Sequence, residues 1–382
     1  MNNKTRICVV GAGRWGTNHI KTLKNLGSLA GIVESREDRR DELKTLFPEA
    51  TLFHSVRDVP LDDFDGFTVA TPAETHFKVG SYLLEQGKHV LIEKPIALNT
   101  KEAGALKELA DKHKVNLMVG HVLLFHPAII KIKELIDSGK IGKLEYIYSN
   151  RLNLGTVRTE ENILWSFAPH DISIFEYFIG SNPTEVVSRG GAFLTPGIHD
   201  TTMTSLTYPN NVVGHIFVSW LHPFKEHRMV MIGSKGMISF EDSSEEKDIL
   251  FYEKGIDWVQ GEPIKRDGPT EVIPYDKGFP LTNEIQYFID HLDGSKLEIA
   301  DGQNAYDVLE VLEKATHSLQ GTVADDNPDT QPSDPDFFVH PTSEVDAGVT
   351  VGKGSKIWHY SHVQGGSSLG ENVSIGQNVN VG

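Results

Sequence analysis

Two side chains stand where a proton could be moved at a hydroxyl group. Lys94 lies in Glu93-Lys94-Pro95, directly after the apolar run HVLIE (89–93). A lysine beside a proline at a strand end is badly placed for core packing. Its compact ammonium suits holding an alkoxide or shifting a hydroxyl proton. The bland alternative is a solvated surface lysine. His170 lies in Glu161-Asn162-Ile163-Leu164-Trp165-Ser166-Phe167-Ala168-Pro169-His170-Asp171-Ile172. A histidine that is neutral near pH 7 can accept such a proton; the alternative is a satisfied histidine at a helix end. Asp171 beside it reads as structural.

A third group could bind an anion. The run RICVV (6–10) leads into Gly11-Ala12-Gly13-Arg14-Trp15-Gly16, and a helical pattern with Ile20, Leu23 and Leu26 follows. Strand, glycine turn and helix form the setting in which G-x-G-x-x-G holds a dinucleotide. Gly11 permits the turn, Gly13 lets the backbone approach a pyrophosphate, and Gly16 lets helix and strand pack closely. Arg14 and Trp15 occupy the helix's first turn, where free N–H groups favour anions. A second strand, LAGIVE, ends in Glu34, about where an acid should meet ribose hydroxyls. That acid would repel a 2′-phosphate and favours NAD over NADP, although Arg36 keeps NADP open.

The elements that must position these residues are legible as a rhythm. FTVA (67–70), HVLIE (89–93) and VNLMVG (115–120) alternate with helical stretches, which means βαβ units and a doubly wound parallel sheet over residues 1–122. Ligands of such sheets gather at the carboxyl ends of the strands. Two motifs fall there, Ala70-Thr71-Pro72-Ala73-Glu74-Thr75-His76 and Glu93-Lys94-Pro95. From 123 the rhythm changes. KLEYIYSNRLNL (143–154), NVVGHIFVSWL (211–221) and RMVMIGSKGMISFED (228–242) alternate apolar and polar residues, which predicts a sheet with one covered face in a second domain, 123–320.

The glycine turn, VATPAETH, LIEKP and DGQNAYDVLEVLEKA (301–315) together resemble the Gfo/Idh/MocA oxidoreductases over roughly residues 5–320. The resemblance implies an NAD-binding Rossmann domain and an α+β domain with a large, open, mostly antiparallel sheet. It implies that Thr71, Pro72 and His76 line the nicotinamide and ribose region, with Glu93 also at the cofactor. Lys94 would touch both cofactor and substrate hydroxyl, and a helix over about 302–319 would return to the first domain. Where the family commonly carries Asp, three residues, then His, this chain has Ser166 before His170. His170 is thus left to work with Lys94 or Asp171. NRLNLGTVRTEENILWSFAPHDIS and SWLHPFKEHR resemble the members that oxidise C3 of UDP-N-acetylglucosamine or its uronic acid. Arg151, Asn153, Arg158, Asn162, Lys225 and Arg228 would then bind the UDP-amino-sugar, arginine forks suiting a diphosphate or carboxylate. A free sugar or inositol is the alternative substrate.

Composition sets further limits. Lys plus Arg is 36 against 53 Asp plus Glu, a net charge of −17, which argues against a nucleic-acid partner. No apolar run reaches the roughly 20 residues that span a bilayer, no signal peptide is legible, and a cytoplasmic protein is expected. The single cysteine, Cys8, excludes disulfides within the chain, and the scattered histidines match no metal spacing, so no metal is expected. Residues 321–336, GTVADDNPDTQPSDPD, read as a solvated linker. Beyond it Val339, Val345, Val351, Ile357, Val363, Leu369, Ile375 and Val381 recur every six residues. A hexad repeat over 337–382 predicts a short parallel β-helix. It resembles the left-handed coils of hexapeptide-repeat N-acetyltransferases, which leaves an acetyltransferase or assembly partner with a binding-only first domain as the reading from another class. A homo-oligomer, dimer or tetramer, is expected by analogy.

Overall fold

The computed structural model describes residues 5–159, 161–321, 337–340, 342–359, 361–376 and 379–382. The chain divides into two compact units, Met1–Val323 and Ala324–Gly382. The stretch 322–336, where the linker is expected, lies outside the described residues.

The first unit opens with strands β1 (Ile7–Val10), β2 (Leu29–Val33), β3 (Thr51–Phe53), β4 (Gly66–Val69), β5 (His89–Glu93) and β6 (Leu117–Gly120). They form one parallel sheet in the order β3-β2-β1-β4-β5-β6. The order reverses at β1/β4, which opens a crevice above the carboxyl ends of these two strands. β1, β2, β4 and β6 are buried at every position, because helices α1 (Arg14–Leu26), α2 (Glu37–Leu46), α3 (His76–Glu85) and α4 (Thr100–His113) serve as the crossovers. Continuous apolar runs are what such double coverage demands.

After α5 (Pro127–Asp137) comes a mixed eight-stranded sheet. Its strands are β7 (Leu144–Leu152), β8 (Glu185–Gly191), β9 (Thr201–Thr207), β10 (Val213–Ser219), β11 (Glu226–Gly233), β12 (Met237–Glu241), β13 (Ile249–Val259) and β14 (Glu262–Ile273). They run in the order β14-β13-β12-β11-β7-β10-β9-β8. Only β7 and β10 pair in parallel. Burial alternates along β9 and β10, as expected when one face alone is covered. α6 (Ile163–Ile179) and α8 (Gly302–Leu319) cover it.

Two helices return to the first sheet rather than one. α8 packs on α4 and β6, and α7 (Pro280–Asp290) packs on α1. The backbone before α8 runs along the free edge of β6, where Val119 N–H donates to Ala300 C=O at 2.8 Å. α6 and α8 are tied by Trp165 Nε1–H to Thr316 Oγ1 at 2.9 Å. The residues facing the crevice therefore sit on elements braced from both domains.

The second unit contains two-residue strands β15 (Phe338–Val339), β16 (Glu344–Val345), β17 (Thr350–Val351), β18 (Lys356–Ile357), β19 (His362–Val363), β20 (Ser368–Leu369), β21 (Ser374–Ile375) and β22 (Asn380–Val381). They stack in parallel as β15-β18-β21, β16-β19-β22 and β17-β20, the three sides of a coil. Ile357, Val363 and Leu369 fill its centre. Serines at the corners stitch one coil to the next. Ser355 Oγ–H donates to Gly370 C=O at 2.8 Å and accepts from Val373 N–H at 3.0 Å, and Ser361 does the same to Gly376 and Val379.

Candidate active site

The glycine turn is built for close approach. Gly11 has φ +96°, and a Cβ there would lie 2.8 Å from Ala70 O. A Cβ on Gly16 would lie 2.0 Å from Gly11 O, so that position admits no side chain, whereas Gly13 faces open space. α1 starts with no side-chain cap and no acid in its first turn, which leaves its N–H groups available to an anion. Above it lies a cleft of 720 Å³ lined among others by Gly11, Gly13, Glu34, Arg36, Thr71 and Pro72. Partial burial raises the Glu34 pKa, but hydrogen bonds from the Arg36 backbone (3.0 Å) and side chain (3.4 Å), with the Arg36 charge, outweigh it. The carboxyl is held below its ordinary range and is ionised. These residues fit a dinucleotide: phosphates at α1 and a ribose diol at Glu34.

Lys94 emerges from the end of β5 and reaches the second domain, where its Nζ donates to Ser166 C=O at 3.1 Å. Burial lowers its pKa, and the charges of Glu161 and Glu93 only partly oppose this. Ser166 is buried, and the partner it gives Lys94 is this uncharged backbone carbonyl. His170 follows four residues later on α6, on the same face one turn on. Burial first, then the charges of Lys94 and Arg151, push its pKa well below the ordinary value. It is a neutral base with an enclosed, unpartnered Nδ1.

Glu93 is buried, and its Oε1 accepts from Trp15 Nε1–H and lies 2.7 Å from His19 Nε2. The glycine helix thereby fixes the carboxylate next to Lys94. His76 is also buried; its two ring nitrogens lie 2.8 Å from Pro95 O and Thr71 O. It bridges the two strand-end loops and positions Thr71 and Lys94, rather than lining the cleft. Arg14 is exposed at the start of α1.

The residues expected to grip an anion meet different fates. Arg151 is already bidentate to Asp171, at 2.8 and 3.1 Å. Arg158 pairs with Glu161 at 2.9 Å and Arg228 with Glu241 at 2.8 Å. The free positive charge read from these arginines is thus compensated within the chain. Asn162 caps α6, its Oδ1 accepting from Trp165 N–H at 3.2 Å, a structural role beside the substrate contact expected. Asn153 N–H donates to Ser219 C=O at 3.0 Å, and Lys225 is exposed between β10 and β11.

Sequence reasoning counted His121 only among the scattered histidines that match no metal spacing. It follows β6 directly, and Gly120 at the end of β6 is in register with Glu93 on β5. His121 is buried, and neither ring nitrogen has a partner among the described residues. Burial, then the Lys94 charge, lower its pKa to about 3. The available signal was its place at a strand end, the same signal that singled out Lys94.

Residues 5–121 match the model described as oxidoreductase family, NAD-binding Rossmann fold, and residues 129–239 match the GFO/IDH/MocA C-terminal domain. Residues 339–382 match bacterial transferase hexapeptide (six repeats). UDP-N-acetylglucosamine 3-dehydrogenase from Acidithiobacillus ferrooxidans is 27% identical over 300 residues, 78% of this chain and 91% of that protein. scyllo-Inositol 2-dehydrogenase (NAD(+)) from Bacillus subtilis is 25% identical over 335 residues, 84% of this chain and 95% of that one. A solved structure of the Acidithiobacillus enzyme superposes with a TM-score of 0.74 at 25% identity, covering 83% of this chain and 98% of that one. GenD2 from gentamicin A biosynthesis, solved in complex with NAD, has the same fold, with a TM-score of 0.70 at 19% identity over 84% of this chain and 95% of that one. With two models of one family spanning more than half its length, over a site that joins their two domains, the chain belongs to the Gfo/Idh/MocA oxidoreductases.

Proposed function

We propose that this dehydrogenase oxidises the C3 hydroxyl of a UDP-N-acetyl amino sugar, UDP-N-acetylglucosamine or its uronic acid, to the 3-keto sugar. The observation that carries the chemistry is Lys94 anchored on Ser166 C=O, one helical turn from the neutral His170. Lys94 leaves the carbonyl for the substrate oxygen and stabilises it as it becomes a carbonyl. His170 takes the hydroxyl proton. NAD, when bound, supplies the acceptor for the hydride that leaves C3. Gly11, Gly13 and the start of α1 hold its phosphates, and the ionised Glu34 prefers its ribose diol to a 2′-phosphate. Thr71 and Pro72 line the same cleft.

The substrate assignment is supported by the likeness to the Acidithiobacillus 3-dehydrogenase over most of both chains. The hexapeptide segment agrees with work on amino-sugar nucleotides for cell-surface polysaccharides. One observation favours a free inositol instead: Arg151, Arg158 and Arg228 already have carboxylate partners, and inositol dehydrogenases are also among the relatives. Absorbance at 340 nm separates the two. Protein and NAD, with the NADH formed continuously removed, should respond to UDP-N-acetylglucosamine or its uronate. Reduction with scyllo- or myo-inositol and with neither UDP-sugar overturns the assignment.

The helix-free face of the large sheet carries half-exposed Tyr146, Tyr148, His215, Phe217 and Val230 with exposed Met203. We read it as the face on which copies meet, giving a dimer or tetramer; light scattering of the purified protein tests this.

A further inference from the structure

The ends of the parallel strands form a series. The cleft occupies the ends of β1, β2 and β4. Lys94 stands at the next strand end, β5, and His121 one strand beyond, at β6. Neighbouring strands are about 4.8 Å apart, so His121 lies on the far side of Lys94 from the dinucleotide. It lies towards the second domain, because the turn that follows it, Val122–Phe125, packs against α6. Three nitrogens here have no partner among the described residues: both of His121 and Nδ1 of His170, two side chains near enough for His121 to act on the His170 pKa. A buried polar atom left unpaired costs about 1–3 kcal/mol, and buried polar groups are overwhelmingly paired. Elsewhere on α6 Asn162 caps the helix, Asp171 is in a bidentate pair and Trp165 is bonded to α8, and the one other unpaired buried side-chain atom among its described residues, Glu176 Oε1, lies nearly two turns further on.

We propose that His121 is a substrate-binding residue, whose neutral imidazole hydrogen-bonds an uncharged group on a carbon next to the one oxidised. One nitrogen of a neutral imidazole donates and the other accepts. That combination matches a hydroxyl or an acetamido group, which both donate and accept, better than an ionised phosphate or carboxylate, which only accepts. If the sugar-nucleotide assignment holds, the group is the C2 acetamido or the C4 hydroxyl. The contact itself does not depend on that assignment.

The test compares His121→Leu and His121→Gln with the wild type on whichever of UDP-N-acetylglucosamine, its uronate and the inositols the wild type oxidises fastest. Failure of the sugar-nucleotide reading then changes only the compound used. NADH affinity is measured separately by fluorescence, and stability by thermal melting. Loss of a buried hydrogen bond to substrate predicts that His121→Leu lowers kcat/KM by about 10- to 100-fold. His121→Gln, which keeps a donor and an acceptor, recovers most of it. NADH affinity stays within about threefold, and the leucine variant melts no lower than the wild type because it removes an unsatisfied buried group. Wild-type kcat/KM in both variants overturns the proposal. So does a loss matched by an equal loss of NADH affinity, which would place His121 at the cofactor.

Discussion

At the scale of single residues, burial keeps His121 and His170 uncharged and lowers the Lys94 pKa. Lys94 is pushed below its ordinary pKa by burial, so replacing it with an apolar side chain of similar length relieves a cost while removing the chemistry. Lys94→Met should lose kcat by about 10²- to 10⁴-fold and melt at the wild-type temperature or above it, read by turnover and thermal unfolding on one preparation. The histidines impose a pH dependence. Burial, then Lys94, hold His121 at about 3, and burial, then Arg151, hold His227 at about 4. In the unfolded chain each binds its proton near 6.5. The folded state therefore keeps its full stability above pH 6.5 and loses it as the pH falls towards 4 and 3. Melting temperatures from pH 7 to 4 should decline less steeply in His121→Leu, the histidine contributing up to about 1.4 kcal/mol per pH unit. Lys94 was legible in the sequence because a strand-end lysine has few structural uses. The pairing of Arg151 with Asp171 was not legible, because Asp171 sits on another element and no periodicity shows which charges meet.

At the scale of elements, the first helix and α6 each present one end of the reaction, and both depend on how they begin. A Cβ at Gly16 would collide with the Gly11 carbonyl, so α1 must move off β1 to admit it. Gly16→Ala should therefore weaken NADH binding at least tenfold, measured by fluorescence titration. Asn162→Ala removes the cap of α6 and should cost about 1 kcal/mol in denaturant unfolding, with the substrate KM of the folded enzyme unchanged. A raised KM with unaltered stability would return Asn162 to the substrate side. Five of the first sheet's six strands were readable because strands covered on both faces must be unbroken apolar runs, whereas the short, partly exposed β3 left no such run. α7 was not, since its packing on α1 joins residues more than 250 positions apart and leaves only an ordinary amphipathic pattern.

At the scale of the whole molecule, the proposed reacting groups and the coiled segment belong to separate compact units. A protein ending at residue 321 should therefore keep the dehydrogenase's kcat and KM within about twofold, checked by the 340 nm assay. A collapse of activity would mean that the second unit supports the first. The hexad pattern was legible because only a fixed repeat can keep one aliphatic residue pointing inwards on every side of the coil.

That repeat has a consequence for how this segment can change over generations. Strand partners are eighteen residues apart, as in Val339 with Ile357 and Ile357 with Ile375. Removing or duplicating eighteen residues deletes or adds one whole storey and leaves the rest unaware of the change. A six-residue change turns the stack by one side but still sends aliphatic residues inwards. A length that is not a multiple of six sets every later residue facing the wrong way. The segment is thus a tape that tolerates cutting and splicing only at fixed marks, and its length can drift among relatives in steps of six while the dehydrogenase before it stays the same size.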